Sequence, residues 1–392
     1  MSDRDDDART SPPVARASSA VGLAVAALLS TLAPASIALA GPGSGTEPLV
    51  IDPPRVVDTL PREAYEPHLE ERAVEWETWD YVFWFPDGHR LLAQFRVTSA
   101  GPGRHHGVVV GIVVRPDRRT TLVRNSRPRG EWRFETRGDE VRLSLHKHDF
   151  VIGRERHRLR LQNRKGRFEI EAEATAPSVV LGPVRYARDG RFELTLVAPR
   201  LRCRGVLQLP GEPPLTLRDG WGVASHALST LPGHRQALST LALHTFDAPE
   251  QVSALAFAAP RGRGQESFGW LLVSREGRPP EVVSHYERRW GGAVREGEPP
   301  HYLWPRSLEL TGAGGSPAQA TISLLPIARF DLLSWIENAV VRFVAGRVSH
   351  PVQYLFDADY TLRIGPGGQT TPRAGQGLAL LSILNQPRAQ WP

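Results

Sequence analysis

Cysteine, methionine and lysine are almost missing from this chain. Its 392 residues include one cysteine, one methionine and, in Lys147 and Lys165, two lysines. A single Cys203 excludes an intramolecular disulfide and any cysteine-based zinc site. No helix-turn-helix, zinc-finger or RNA-binding signature is present, which argues against a nucleic-acid partner. No Gly-x-Ser-x-Gly nucleophile elbow occurs. The glycine-rich stretch 364–368 has neither a lysine nor a helix after it, so it is no phosphate loop. No cofactor motif is visible.

What the chain does contain points to β-structure. Hydrophobic residues make up 41% of it, enough for a sizeable core, and 36 glycines with 34 prolines supply turns between short strands. Ten tryptophans call for large apolar surfaces to bury them. The net charge of +6 comes mainly from arginine, and the surface attracts anions weakly.

The amino-terminal region reads as a targeting segment. Residues 20–33 form an apolar core, and Ala38-Leu39-Ala40 is a small-x-small cleavage site before Gly41. Residues 1–40 are therefore expected to be a signal peptide and the protein to be exported, periplasmic or secreted. The alternative is a membrane anchor through 20–40, which would make a membrane surface a partner.

Residues 41–75 read as a proline-rich linker. From Trp76 the hydrophobic period becomes two. Tyr81, Phe83 and Phe85 alternate with Val82 and Trp84, and Pro86-Asp87-Gly88 turns the chain into a returning strand over Leu91–Val97. Strands at 8–12-residue spacing continue through both halves, which predicts an all-β fold. Pro210-Gly211-Glu212-Pro213-Pro214 is a rigid connector and divides the chain into 76–214 and 215–392. One helix is expected at 330–344, where Leu332, Leu333, Ile336, Val340, Phe343 and Val344 share a helical face. Two halves of roughly 8–10 antiparallel strands suggest closed barrels, because closure removes exposed edges.

The stretch Gly220-Trp221-Gly222…His226-Ala227-Leu228…Pro232…His234 resembles the tandem lipocalin-like superfamily of fungal survival factors and bacterial hydroxyneurosporene synthases. Trp79–Phe95 is similar to that family's first hairpin. Tyr302-Leu303-Trp304-Pro305 and Gly375-Gln376-Gly377 are similar to two of its later strand beginnings. The resemblance implies two lipocalin-like barrels in tandem, and either lipid handling or chemistry on isoprenoids and other ring-closing substrates. The family often carries Glu after the last Gly-x-Gly; Ala379 and Leu380 stand here, so that carboxylate has no counterpart.

His226 is the leading candidate, at the mouth of a barrel, to orient a ligand or move a proton. Glu77 and Asp247 are the other catalytic candidates, with Asp80 and Glu287 behind them, because burial raises a carboxyl pKa toward useful values. Ligand-binding candidates are Trp79, Tyr81, Trp84, Gln94, Trp221, His226 and His244. His146 and His148, two residues apart, lack a third ligand at fixed spacing, so no metal site is expected. Arg154, Arg156, Arg158 and Arg160 form a basic strand face, read chiefly as solvated. The function expected first is binding and carriage of a hydrophobic small molecule, a lipid or isoprenoid, in a barrel cavity. The alternative is an isoprenoid hydratase, cyclase or isomerase that protonates an alkene there.

Overall fold

In the computed structural model the described residues are 49–384, apart from 69–73, 100–104, 187–189, 247–249, 260–266, 285, 313–317, 336–341, 344–345, 347–348 and 365–371. Residues 1–40, expected to be a signal peptide, and Asp247 lie outside them. No helix among the described residues is long and apolar enough to cross a membrane.

The fold is all-β and antiparallel, as the period-two pattern predicts. A first sheet holds β1 (Val50–Ile51), β2 (Arg55–Val57), β3 (Trp76–Trp84), β4 (Arg90–Thr98), β5 (His106–Val114), β6 (Thr120–Arg127), β7 (Trp132–Arg137), β8 (Glu140–Leu145), β9 (His148–Ile152), β10 (Arg156–Asn163), β11 (Gly166–Ala174), β12 (Ser178–Tyr186), β13 (Gly190–Gln208) and β14 (Leu215–Ser229). Its order is β6-β5-β4-β3-β14-β13-β11-β10-β9-β8-β7, with β12 on β13 and the short β1 and β2 on β12. A second sheet holds β15 (Ser239–Thr245), β16 (Glu250–Ala258), β17 (Ser267–Arg275), β18 (Glu281–Ser284), β19 (Tyr286–Arg295), β20 (Leu303–Gly312), β21 (Ala318–Asp331), β22 (Val352–Ile364) and β23 (Arg373–Ile383). It is ordered β18-β17-β16-β15-β23-β22-β21-β20-β19. One sheet curls nearly closed and the other makes a half-barrel.

The expected β3–β4 hairpin forms as read. Gly88 takes a φ of +88°, the left-handed region open to glycine, and the Asp87 carboxylate accepts the His89 amide at 3.0 Å.

Three expectations are corrected. The division at 214/215 falls inside one hairpin: β14 pairs with β13 on one side and β3 on the other. The first sheet thus runs to Ser229, and the chain passes to the second through Pro232 and a helical turn at Gly233–Gln236. Residues 41–75 are more than a linker. β1 and β2 pair with β12, a 3-10 turn forms at Arg62–Ala64, and Leu60 and Tyr65 are buried in the first core. The helix expected from residue 330 does not begin there. Phe330 and Asp331 finish β21, paired with Gln353 and Val352, and Leu332–Trp335 is a 3-10 turn. Pairing along a long ladder outweighs local helix propensity at these positions. Much of the remaining stretch lies outside the described residues; Arg342, Phe343 and Gly346 in it are helical.

The inside of the first sheet is filled by its own side chains. Trp79, Tyr81, Phe83 and Phe85 of the β3 strand and turn meet Phe95, Phe150 and Phe168, each under 2% exposed or at 2%. Burying a ring of this size contributes about 1.5–3 kcal/mol. Packing is close: a Cβ at Gly111 would stand 2.6 Å from the Phe168 ring, and one at Gly220 2.5 Å from Phe85. Two surface hollows, of about 1070 and 460 Å³, are lined mostly by charged and polar residues; the larger also touches Leu159, Ile170 and Leu217 of this core.

A second apolar layer joins the two sheets along a seam. Val82, Trp84, Leu92, Val110 and Ile112 on the outer face of the first sheet pack with Phe246, Leu355 and Leu378 of the second. Further along, Phe192 meets Phe257 at 5.3 Å between ring centroids.

Candidate functional site

Strand alternation divides the sequence candidates into two groups. Odd-numbered residues of β3 face the first core: Glu77, Trp79, Tyr81 and Phe83. Even-numbered residues face the seam: Thr78, Asp80, Val82 and Trp84. His226 on β14 stands opposite Trp79 and joins the inner group. Gln94, opposite Asp80, and Trp221, opposite Trp84, join the outer one. His244 lies on the seam side of β15, alternating with the core residues Leu241 and Leu243. The structure thus places the sequence candidates at two sites, one on each face of β3.

At the inner site the two best catalytic candidates meet. His226 Nε2 is 2.8 Å from Glu77 Oε1, and both side chains are buried. His226 Nδ1 is 2.8 Å from the Ala64 carbonyl oxygen. The chain after the 3-10 turn adds a residue the sequence did not single out. His68 places its Nδ1 2.9 Å from Glu77 Oε1 and donates its amide to Oε2 at 3.1 Å. Burial pushes the Glu77 carboxyl up, but hydrogen bonds from His226 and His68 outweigh it and hold the pKa below the ordinary value. The Trp79 ring stacks on His226 at 4.9 Å, and its indole N–H donates to the Tyr65 carbonyl at 2.8 Å. Tyr81 lies deeper, its hydroxyl 2.9 Å from His157 Nδ1. Trp79 and Tyr81 are therefore core residues with satisfied polar atoms, and no substrate-sized space adjoins them among the hollows described above.

The seam site has a different chemistry. Asp80 is half-buried. Gln94 Nε2 donates to its Oδ1 at 2.5 Å and Thr78 Oγ1 to its Oδ2 at 2.7 Å. Burial raises its pKa above the ordinary aspartate value, against those two hydrogen bonds and the charge of Arg96. Four residues along the same face, Trp84 stacks on Phe246 of the second sheet at 5.4 Å, with the Arg90 guanidinium 4.4 Å from its centroid. Trp221 carries the Arg200 guanidinium at 4.1 Å, and Arg200 is 2% exposed.

From the second sheet, His244 Nδ1 lies 2.9 Å from the Ser253 hydroxyl, and burial lowers the His244 pKa to about 4, so it is neutral at pH 7. Gln251, two residues before Ser253 on the same face, is 1% exposed, and neither of its amide atoms has a hydrogen-bond partner among the described residues. Such a residue has no sequence signal beyond its strand parity.

No protein-family model matches the chain, and no curated protein matches it. Solved structures do. It is similar to CghA in complex with Sch210972, with 10% identity and a TM-score of 0.56, over 86% of this chain and 98% of that one. It is also similar to kievitone hydratase from Nectria haematococca, with 9% identity and a TM-score of 0.51, over 84% of this chain and 97% of that one. The tandem-barrel fold is shared. It is the fold implied by the short motifs at 79–95 and 220–234.

The remaining candidates separate from both sites. His146 is an exposed turn residue with a φ of 55°, whereas His148 is fully buried and accepts the Gln162 amide at 3.3 Å. They do not share a strand face, so the i, i+2 reading fails. Glu287 is exposed. His234 sits in the helical turn between the sheets. Arg158 and Arg160 line the larger surface hollow in company with Glu169, Glu171 and Asp149, with Arg160 paired to Glu169 at 3.2 Å.

Proposed function

We propose that this chain is an enzyme that takes an unsaturated, isoprenoid-type small molecule at the seam between its two sheets and protonates it from Asp80. The supporting observation is the environment of that carboxyl. It is a half-buried acid with a raised pKa, set in an apolar face with Val82, Leu92 and Trp84 nearby on the same surface.

An alkene is a weak base, and a carboxylic acid is a group that can protonate it; burial shifts Asp80 toward that form. As the O–H bond breaks and the new C–H bond forms, negative charge develops on Asp80. Gln94 and Thr78 already donate to its two oxygens, so that charge is met without rearrangement. The resulting carbocation then takes water, which gives one proton back to the Asp80 carboxylate; or closes on a second double bond and gives a proton of the new cation to it; or gives it a different proton directly. These outcomes are hydration, cyclisation and isomerisation. The close filling of the first core favours this reading over carriage inside that barrel.

The test is incubation of the full chain with candidate isoprenoids in D2O, followed by mass spectrometry. One deuterium per product molecule is expected, with the mass of water added in the case of hydration. Asp80→Asn should lower the rate by about 10²–10⁴-fold, the usual range for a lost general acid, while leaving ligand binding in place. Ligand recovered unchanged and undeuterated would return the carriage reading. Deuterium uptake undiminished in Asp80→Asn would remove Asp80 from the mechanism.

A further inference from the structure

We propose that His68, Glu77 and His226 form a binding site for a divalent transition-metal cation of the zinc class, separate from the seam. Both ring nitrogens of His226 face oxygens: Nδ1 is 2.8 Å from the Ala64 carbonyl, which can only accept, and Nε2 is 2.8 Å from Glu77 Oε1. A positive centre, either a proton or a metal ion, belongs on the line between Nε2 and that carboxylate oxygen.

The surroundings suit the metal. His68 Nδ1 is 2.9 Å from the same Oε1, and the three ligand atoms all lie within 4.8 Å of one another. Ligands about 2 Å from a tetrahedral cation stand roughly 3.3 Å apart, so the two contacts to Glu77 Oε1 need open only by a few tenths of an ångström, and the two imidazole nitrogens, no more than 4.8 Å apart, turn in to complete the site. Two imidazoles and one carboxylate are a donor set that binds zinc-class cations and leaves coordination positions for water.

The supporting shell is also in place. A ligating histidine characteristically donates its other N–H to a carbonyl, which is the role of Ala64, and the His68 amide fixes the second Glu77 oxygen. Trp79, stacked on His226, sets the ring plane. Glu77 is fully buried, but the His68 side chain is 24% exposed, which gives the cation a way in.

The three ligands come from β3, β14 and the segment after the 3-10 turn at Arg62–Ala64, so a bound ion ties that segment across the end of the first barrel. The sequence could not reveal this set, because positions 68, 77 and 226 have no metal-ligand spacing and meet only through the β3–β14 ladder.

The test uses the full chain, stripped with chelator and dialysed against ZnCl2 or CoCl2. About one ion per chain should be retained, cobalt should show visible d–d bands, and zinc should raise the thermal unfolding midpoint. His68→Ala, at the exposed edge, should weaken zinc binding by more than the roughly 10–100-fold that loss of an outer-shell partner costs. Glu77→Gln should abolish it; if that buried change prevents folding, His68→Ala still decides. His234→Ala, in the inter-sheet turn, should bind as the parent does. Failure to retain a metal, cobalt without d–d bands, or zinc affinity unchanged in His68→Ala would each overturn the proposal. None of these readouts involves turnover, so they are independent of whether Asp80 proves to be an acid.

Discussion

Arg118 Nε of the first sheet lies 2.9 Å from Asp357 Oδ2 of the second, and Arg90 pairs with the other oxygen of the same carboxylate. This one carboxylate, 18% exposed, ties two guanidiniums across the seam. Burial lowers the Arg90 pKa to about 10, still high enough to keep it charged at pH 7. Asp357→Asn removes the negative charge and leaves two cations facing each other. A loss of about 1–3 kcal/mol is expected, because a shielded charge is left without its partner. Urea unfolding at low and high salt would measure it. The parent should lose part of its advantage at high salt, since the pair is only partly shielded.

Three buried histidines set the acid limit of the fold. Burial lowers the pKa values of His148, His157 and His244 to about 4 each. In the unfolded chain a histidine titrates near 6.5. Between these values the unfolded state binds protons that the folded state refuses. Stability is therefore complete above about pH 6.5 and falls as the pH drops toward 4. Each histidine contributes a slope of about 1.4 kcal/mol per pH unit. Denaturant unfolding across this range should show the fall, and His157→Gln should remove about one proton's worth of slope. A flat profile from pH 6.5 to 4.5 would contradict the burial of these rings.

The tight first core makes a separate prediction at Gly111. A methyl group there would lie 2.6 Å from Phe168 and 2.8 Å from Leu161. Gly111→Ala should cost about 1–3 kcal/mol through overpacking, despite the lower backbone entropy of alanine in the unfolded chain. A neutral result in thermal unfolding would mean that the interior has spare room and would reopen carriage in this half.

Much of this architecture was legible in the sequence, because alternation is a local signal. The β3–β4 hairpin, its Pro86-Asp87-Gly88 turn and the all-β class all follow from it. The pairing of His226 with Glu77 was half legible: each residue stood out, but neither position names its partner. What alternation cannot give is which face of a strand becomes the inside. Trp79 and Trp84 differ only in parity, yet one fills the first core and the other stacks on Phe246 of the second sheet. His68, Asp80 and Gln251 acquire their roles only when the β3–β14 ladder forms and the two sheets close on each other. The misplaced boundary has a similar cause. A run of prolines and glycines marks a turn, and a hairpin turn within one sheet carries the same marks as a passage between sheets.

Gln251 offers the clearest separation of stability from function. Its side chain is buried at the seam, and neither its amide nitrogen nor its amide oxygen is paired among the described residues. A buried polar group left unsatisfied costs about 1–3 kcal/mol, and replacing it by an apolar group of similar size recovers much of that cost. Gln251→Leu should therefore raise stability, by about 1 kcal/mol, as read in urea or thermal unfolding. If the amide is held in readiness for a polar atom of the seam ligand, the same variant should bind that ligand more weakly or turn it over more slowly. Groups kept at a cost to the fold concentrate at functional sites, which is why the two effects should run in opposite directions. A variant that is both more stable and fully active would assign Gln251 to the fold alone. A variant less stable than the parent would mean that the amide makes interactions across the seam that its geometry does not show.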